Sequence, residues 1–110
     1  MNVSLAEDTL GRIIAEPENW DQEVWVCGTT RCFAGHAAEL AGGIVVQWDV
    51  AAYRSAMCLT PDGRLVAVSD YAAEVLELTP GQAFCLFAAT NRLGDLQAWV
   101  KQFTEDQVTW

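Results

Sequence analysis

Cys27, Cys32 and His36 stand in the spacing C-x4-C-x3-H, and with Cys58 or Cys85 they could offer a zinc ion four soft ligands. Paired C-x2-C units are missing, however, and Cys32 starts the segment that carries Phe33 into the core. Free cysteine is among the most buried residue types, so small core thiols are the favoured reading. The four-residue spacer between Cys27 and Cys32 also differs from the two-residue spacer of thioredoxin-like redox motifs. Nucleophilic catalysis would pair Cys32, its pKa lowered at a helix N-terminus, with His36, the only histidine, one helical turn further on roughly the same face. A lone imidazole among small residues more often packs, partly exposed, than catalyses. No catalytic residue, cofactor or resident metal is therefore assigned; Cys27, Cys32 and His36 are the metal alternative.

The acids Asp21, Glu23, Asp49 and Asp70 lack the spacing of an EF-hand or a zincin helix and read as a solvated acidic face. Glycines 28, 35, 42 and 43 form neither a dinucleotide fingerprint nor a Walker loop. The aromatic residues carry more information. Trp20 and Trp25 bracket Asp21 and Glu23 in an irregular segment, where one ring is expected to plug the core and the other to stay near the surface. Tryptophan is a favoured anchor at protein interfaces, so Trp20, Asp21, Glu23 and Trp25 are the candidate binding residues. Trp110 is either a frayed end or a partner anchor.

Fifteen acidic against six basic residues give a formal charge of −9, which opposes contact with phosphate backbones. Arg12, Arg31, Arg54, Arg64, Arg92 and Lys101 are scattered singly along the chain, so no basic patch rescues direct nucleic-acid binding. Acid clusters instead at Glu7, Asp8, Glu16, Glu18, Asp21 and Glu23, ahead of the cysteine segment.

Five helices and a small sheet are expected to position these residues. Ser4 and Glu7 form a capping-box pattern, with Ala6, Leu10, Ile13 and Ile14 on one face of a helix that runs to about Ala15 and stops before Pro17. Residues 18–30 read as a loop, partly extended. A second helix begins near Thr30 or Arg31, buries Phe33, Ala37, Leu40 and Ala41, and ends at Gly42 and Gly43. Gly35 inside it weakens the helix, which points to close packing by Trp20 or Trp25. Met57–Val68 reads as two strands around the turn Thr60-Pro61-Asp62-Gly63, with 44–48 as a third strand and 51–56 ambiguous. Ser69 or Asp70 caps a third helix bearing Tyr71, Val75, Leu76 and Leu78. Thr79, Pro80 and Gln82 open a fourth with a capping box and an apolar face of Ala83, Phe84, Leu86 and Phe87. A last helix aligns Leu93, Leu96, Val100 and Phe103, Trp99 flanking, and frays from Asp106.

The fold class is therefore α+β, about five helices packed on a small antiparallel sheet of two to three strands. At 110 residues and 52% hydrophobic, one domain is expected: 1–43 holding two helices and the tryptophan loop, 44–68 the hairpin region, 69–110 the C-terminal helices. The first residues have neither a basic start nor an unbroken apolar run, which places the chain in the cytoplasm, with reduced cysteines and no membrane association.

The run Glu16-Pro17-Glu18-Asn19-Trp20-Asp21-Gln22, followed by Trp25, Cys27-Gly28-Thr29 and Cys32-Phe33-Ala34-Gly35, resembles a family of small proteins encoded by actinobacteriophages and some actinobacteria. Leu76-Glu77-Leu78-Thr79, Gln82-Ala83, Leu86-Phe87, Asn91 and Leu96 extend the resemblance over nearly the whole chain. At His36 the family pattern carries tryptophan, so this chain departs there, which argues against His36 as a shared ligand or base. The resemblance implies a phage context but no particular activity, and accessory phage proteins of this size often act by binding a host protein. The expected function is thus a non-enzymatic phage accessory protein that modulates its host through protein–protein interaction, in the cytoplasm of the infected bacterium. The alternatives are a DNA-mimic inhibitor of a nucleic-acid-binding protein and a small metal-binding or hydrolytic enzyme using Cys32 and His36. A homodimer is also open, since an exposed aromatic and the edge of a small sheet both invite self-association.

Overall fold

The structure is a computed structural model that describes the backbone of residues 1–22, 26–27, 30–50 and 53–108 and the side chains of 1–22, 31–46 and 57–106. It shows five helices and a three-stranded antiparallel sheet: α1 (Val3–Ala15), β1 (Val26–Cys27), β2 (Thr30–Arg31), α2 (Phe33–Leu40), β3 (Ile44–Val50), β4 (Tyr53–Leu59), β5 (Leu65–Ala67), α3 (Val68–Leu76), α4 (Pro80–Phe87) and α5 (Leu93–Val108). The sheet order is β3-β4-β5, and β1 and β2 form a separate two-residue ladder inside the segment expected to be a loop.

Helix α2 organises the molecule, because residues 33–38 are all buried. Phe33 and Ala37 face a helical core with Ala6 and Ile13 of α1, Leu76 of α3, Leu86 of α4, and Leu96, Val100 and Phe103 of α5. Ala34 and Ala38 face the other way, into a second core with Cys32, Cys58 of β4, and Val68, Tyr71 and Ala72 of α3, against which Val45 and Val66 also pack. Alanine and glycine on both sides let the neighbours approach this helix closely, and a helix apolar all round is one that sits inside. Leu40, expected in the core, is 41% exposed because it lies on the last turn, beyond both layers.

The helix ends follow the chemistry of their caps. Asn2 rather than Ser4 caps α1: its Oδ1 accepts the Leu5 N–H at 3.1 Å, while its own N–H donates to the Leu76 carbonyl at 2.6 Å. That places Ala6, Thr9 and Ile13 inward and leaves Ile14 51% exposed, against the expected face. Helix α3 starts one residue before Ser69, with Ala67 at the cap, since β5 leads directly into it. Thr79 makes the capping box as expected, Gln82 N–H to Thr79 Oγ1 at 3.2 Å and Thr79 N–H to Gln82 Oε1 at 3.0 Å. Helix α5 continues through Asp106 to Val108.

The turn after β4 closes as the Thr-Pro-Asp-Gly signal implies, with Gly63 N–H on the Thr60 carbonyl at 3.0 Å. The ambiguous stretch belongs mostly to β4, which pairs with β3 from Val50↔Tyr53 to Ile44↔Leu59. Gly42 takes the left-handed conformation that ends α2 (φ 94°), and Gly43 is required by proximity: a Cβ there would run into Cys58 Sγ, the Ala38 carbonyl and the Tyr71 ring. Among the described residues no helix is long and apolar enough to cross a membrane.

Candidate functional site

Pro17 ends α1 and opens a 3-10 turn (Pro17–Asn19) that delivers Trp20 to the side of the helical core. Trp20 bridges Arg31 of β2, and the Asp21 N–H donates to the Arg31 carbonyl at 3.0 Å, so the segment is pinned from both sides. Gln22 is the fastening. It is 6% exposed; its Oε1 accepts the Trp20 indole N–H at 3.0 Å and the Phe33 N–H at 3.1 Å, and its Nε2 donates to the Leu86 carbonyl at 2.9 Å. Cys32, the residue at the N-cap of α2, makes no capping bond of its own, so Gln22 supplies the acceptor that the first N–H of the helix needs. At the far end Asn91 Nδ2 donates to the Cys85 carbonyl at 2.6 Å and the Leu86 carbonyl at 3.3 Å. Two side-chain amides thus satisfy the last turn of α4 and draw the tryptophan segment against the α4–α5 connection.

Between them lies an open groove of about 550 Å³, with Glu18, Trp20 and Asp21 on one wall, Asn91, Arg92 and Leu93 on the other, and Gln22 at the base. The indole is half-buried and fixed in rotation by its bond to Gln22, so it presents a rigid apolar plane beside two carboxylates. Such a plane accepts the methylene stem of a lysine or arginine while the carboxylates take its charge. Of the four candidate binding residues, Trp20 and Asp21 line this groove, and Glu23 and Trp25 lie outside the described residues. Glu18, Gln22, Asn91 and Arg92 were not among the candidates. Gln22 stood inside the family-like block, but its partner is 64 residues away, a separation that no local spacing reports.

Two of the thiols and the imidazole are buried. Cys32 and Cys58 are buried in the second core, and burial pushes both thiols up, against the lowering expected at a helix start; at Cys32 the N–H groups of Gly35 and Ala34 only partly oppose it. Cys27 lies in β1, its side chain outside the described set. His36 is 1% exposed rather than partly exposed, and its Nε2 lies 2.8 Å from the Asn19 carbonyl, an acceptor, so that nitrogen carries the proton. Nδ1 has no hydrogen-bond partner among the described residues. Burial holds the imidazole pKa below its usual value, the Asn19 bond opposing and the Arg12 and Arg31 charges adding to the fall. Among the described residues no three His, Cys, Asp or Glu side chains converge as a ligand set.

The scattered basic residues are partly gathered in space. Arg12 and Arg31 both meet Glu39, at 2.6 and 2.7 Å, and Arg64 meets Asp62 and Glu74 at 2.9 and 3.0 Å. These pairs are at least partly exposed and therefore screened by water and salt, but they occupy half of the chain's six cations. A second, apolar groove of about 400 Å³ runs between the start of α3 and α4, beside Phe84, which is 81% exposed instead of buried as expected. Comparison of the chain with protein-family models, with curated proteins and with solved structures gave no match.

Proposed function

We propose that this chain is a non-enzymatic phage accessory protein that acts in the cytoplasm of an infected bacterium by docking a basic segment of a host protein into the Trp20 groove. The observation that carries the reading is the convergence of Trp20, Glu18 and Asp21 on one open groove whose base is braced by Gln22. A net charge of −9 adds long-range attraction for a cationic partner, falling off over about 10 Å at 0.1 M salt. Buried thiols with raised pKa and an imidazole engaged with a backbone carbonyl favour binding over nucleophilic chemistry. The phage setting rests on the family-like blocks, of which the second supplies Cys32 and Phe33 to α2 and the first supplies the groove wall.

Affinity capture from host lysate, repeated with Glu18→Lys/Asp21→Lys and across a salt series, tests the reading. Both substitutions are on exposed side chains, so the fold should be retained. A partner that is recovered by the wild type, lost with the charge-reversed variant and weakened by salt is the expected result. Equal recovery by both proteins, or capture that is indifferent to salt, would sink it.

A further inference from the structure

Given the docking role proposed above, which this selectivity presupposes, we infer that the Trp20 groove takes a bipolar segment. In such a segment a lysine or arginine lies within a few residues of an aspartate or glutamate, and Arg92 receives that second carboxylate. Glu18 and Asp21 stand on one wall and Arg92 on the other, so the groove is negative on the tryptophan side and positive on the α5 side. Arg12, Arg31 and Arg64 each meet a carboxylate of the chain. The Arg92 guanidinium makes no ion pair among the described residues, although the chain carries fifteen acids. An exposed cation is thus left open to the groove.

Both walls are fixed at the backbone. Asn91 Nδ2 donates to the Cys85 and Leu86 carbonyls, and the Arg92 N–H donates to Asp95 Oδ2 at 2.8 Å, so Asp95, the nearest acid in sequence, is engaged with the Arg92 backbone. Opposite, Gln22 holds the Trp20 indole, and the Asp21 N–H is tied to the Arg31 carbonyl. No ion pair joins the two walls among the described residues, so opposite charges stand apart across an open cleft. Complementarity then selects the occupant. A segment with basic residues alone sets a cation against Arg92, and one with acids alone meets Glu18 and Asp21; one of each sets like charge against neither. The basic side chain lays its methylenes on the Trp20 ring with its charge toward Glu18 and Asp21, while the acid offers Arg92 two oxygens that the guanidinium fork can take together. Because the groove is open, a chain can pass through it, so the acid is a side chain of an internal segment rather than a chain end.

Selection from a displayed library of random short peptides on the full chain, at about 50 mM salt where screening is weak, tests the proposal. Enriched sequences should pair a lysine or arginine with an aspartate or glutamate a few residues away. In the tightest of them, made as a free peptide, replacing the acid by its amide should weaken binding to the wild type about fivefold, the upper end for an exposed ion pair. The same replacement should leave binding to Arg92→Gln unchanged, whereas an Arg92 with a merely structural role would weaken both peptides equally. Arg92 is exposed, and a matching thermal unfolding curve confirms that the variant is folded. Arg92→Glu should reverse the preference, toward the amide peptide. Enrichment of basic peptides without an acid, still lost with Glu18→Lys/Asp21→Lys, overturns the proposal and spares the docking role. A loss that is the same in the wild type and Arg92→Gln also overturns it. If no peptide that depends on Glu18 and Asp21 is enriched, both readings fall.

Discussion

Helices α2 and α4 have the same length and comparable apolar content, but six of eight residues are buried in the first and one of eight in the second. Sequence apolarity does not separate them. Helix α2 lies between two cores, so every direction around its axis is occupied and only small residues fit on most of them. Helix α4 lies at the margin, with Leu86 as its single buried contact and Phe84 left in solvent. What differs is how much surrounds each: α2 is packed from all sides, whereas α4 buries Leu86 and packs Cys85 and Phe87 at the core margin, with hydrogen bonds at its two ends.

Substitutions can sharpen or break this contrast. Phe33→Ala removes the largest fully buried side chain from the shared helix and should cost about 3–5 kcal/mol in urea unfolding. Gly43→Ala, just past the end of α2, forces a methyl group against Cys58, Ala38 and Tyr71, and a loss of about 1–3 kcal/mol is expected. On α4 the same kind of measurement should give about 1 kcal/mol for Thr79→Ala, which opens the capping box. Phe84→Ser should change stability by less than about 0.5 kcal/mol; a value near that of Phe33→Ala would refute the distinction between the helices.

The last effect is close to nil at pH 7 and grows with acid. His36 is kept neutral by burial, its folded pKa lying below the unfolded value of about 6.5. The unfolded chain therefore binds the extra proton first, and stability is lost as pH falls below that value towards the folded pKa. Thermal unfolding followed from pH 7 to pH 5 should show a decline that is shallower in His36→Gln.

The elements that sequence reading placed well are those with local causes. The Thr79 capping box, the turn at 60–63 and the left-handed Gly42 each depend on residues within a few positions of one another. The errors have non-local causes. Asn2 displaced Ser4 as cap because its own backbone N–H also reaches the end of α3, and Phe84 was grouped with Leu86 on one apolar face because periodicity cannot report which part of that face the neighbouring helices cover. The site divides in the same way. Trp20 and Asp21 were visible as residue types in an acidic, aromatic stretch, but the opposite wall at Asn91–Leu93 and the role of Gln22 arise from contacts across most of the chain.

The reach of Gln22 also sets a time order. Closing a 64-residue loop must precede its bond to the Leu86 carbonyl, and the groove's far wall belongs to the start of α5. A nascent chain still lacking its last two helices has α1, α2 and the sheet to condense but only half a cleft. The complete groove is therefore among the last features this polypeptide can form as it is synthesised.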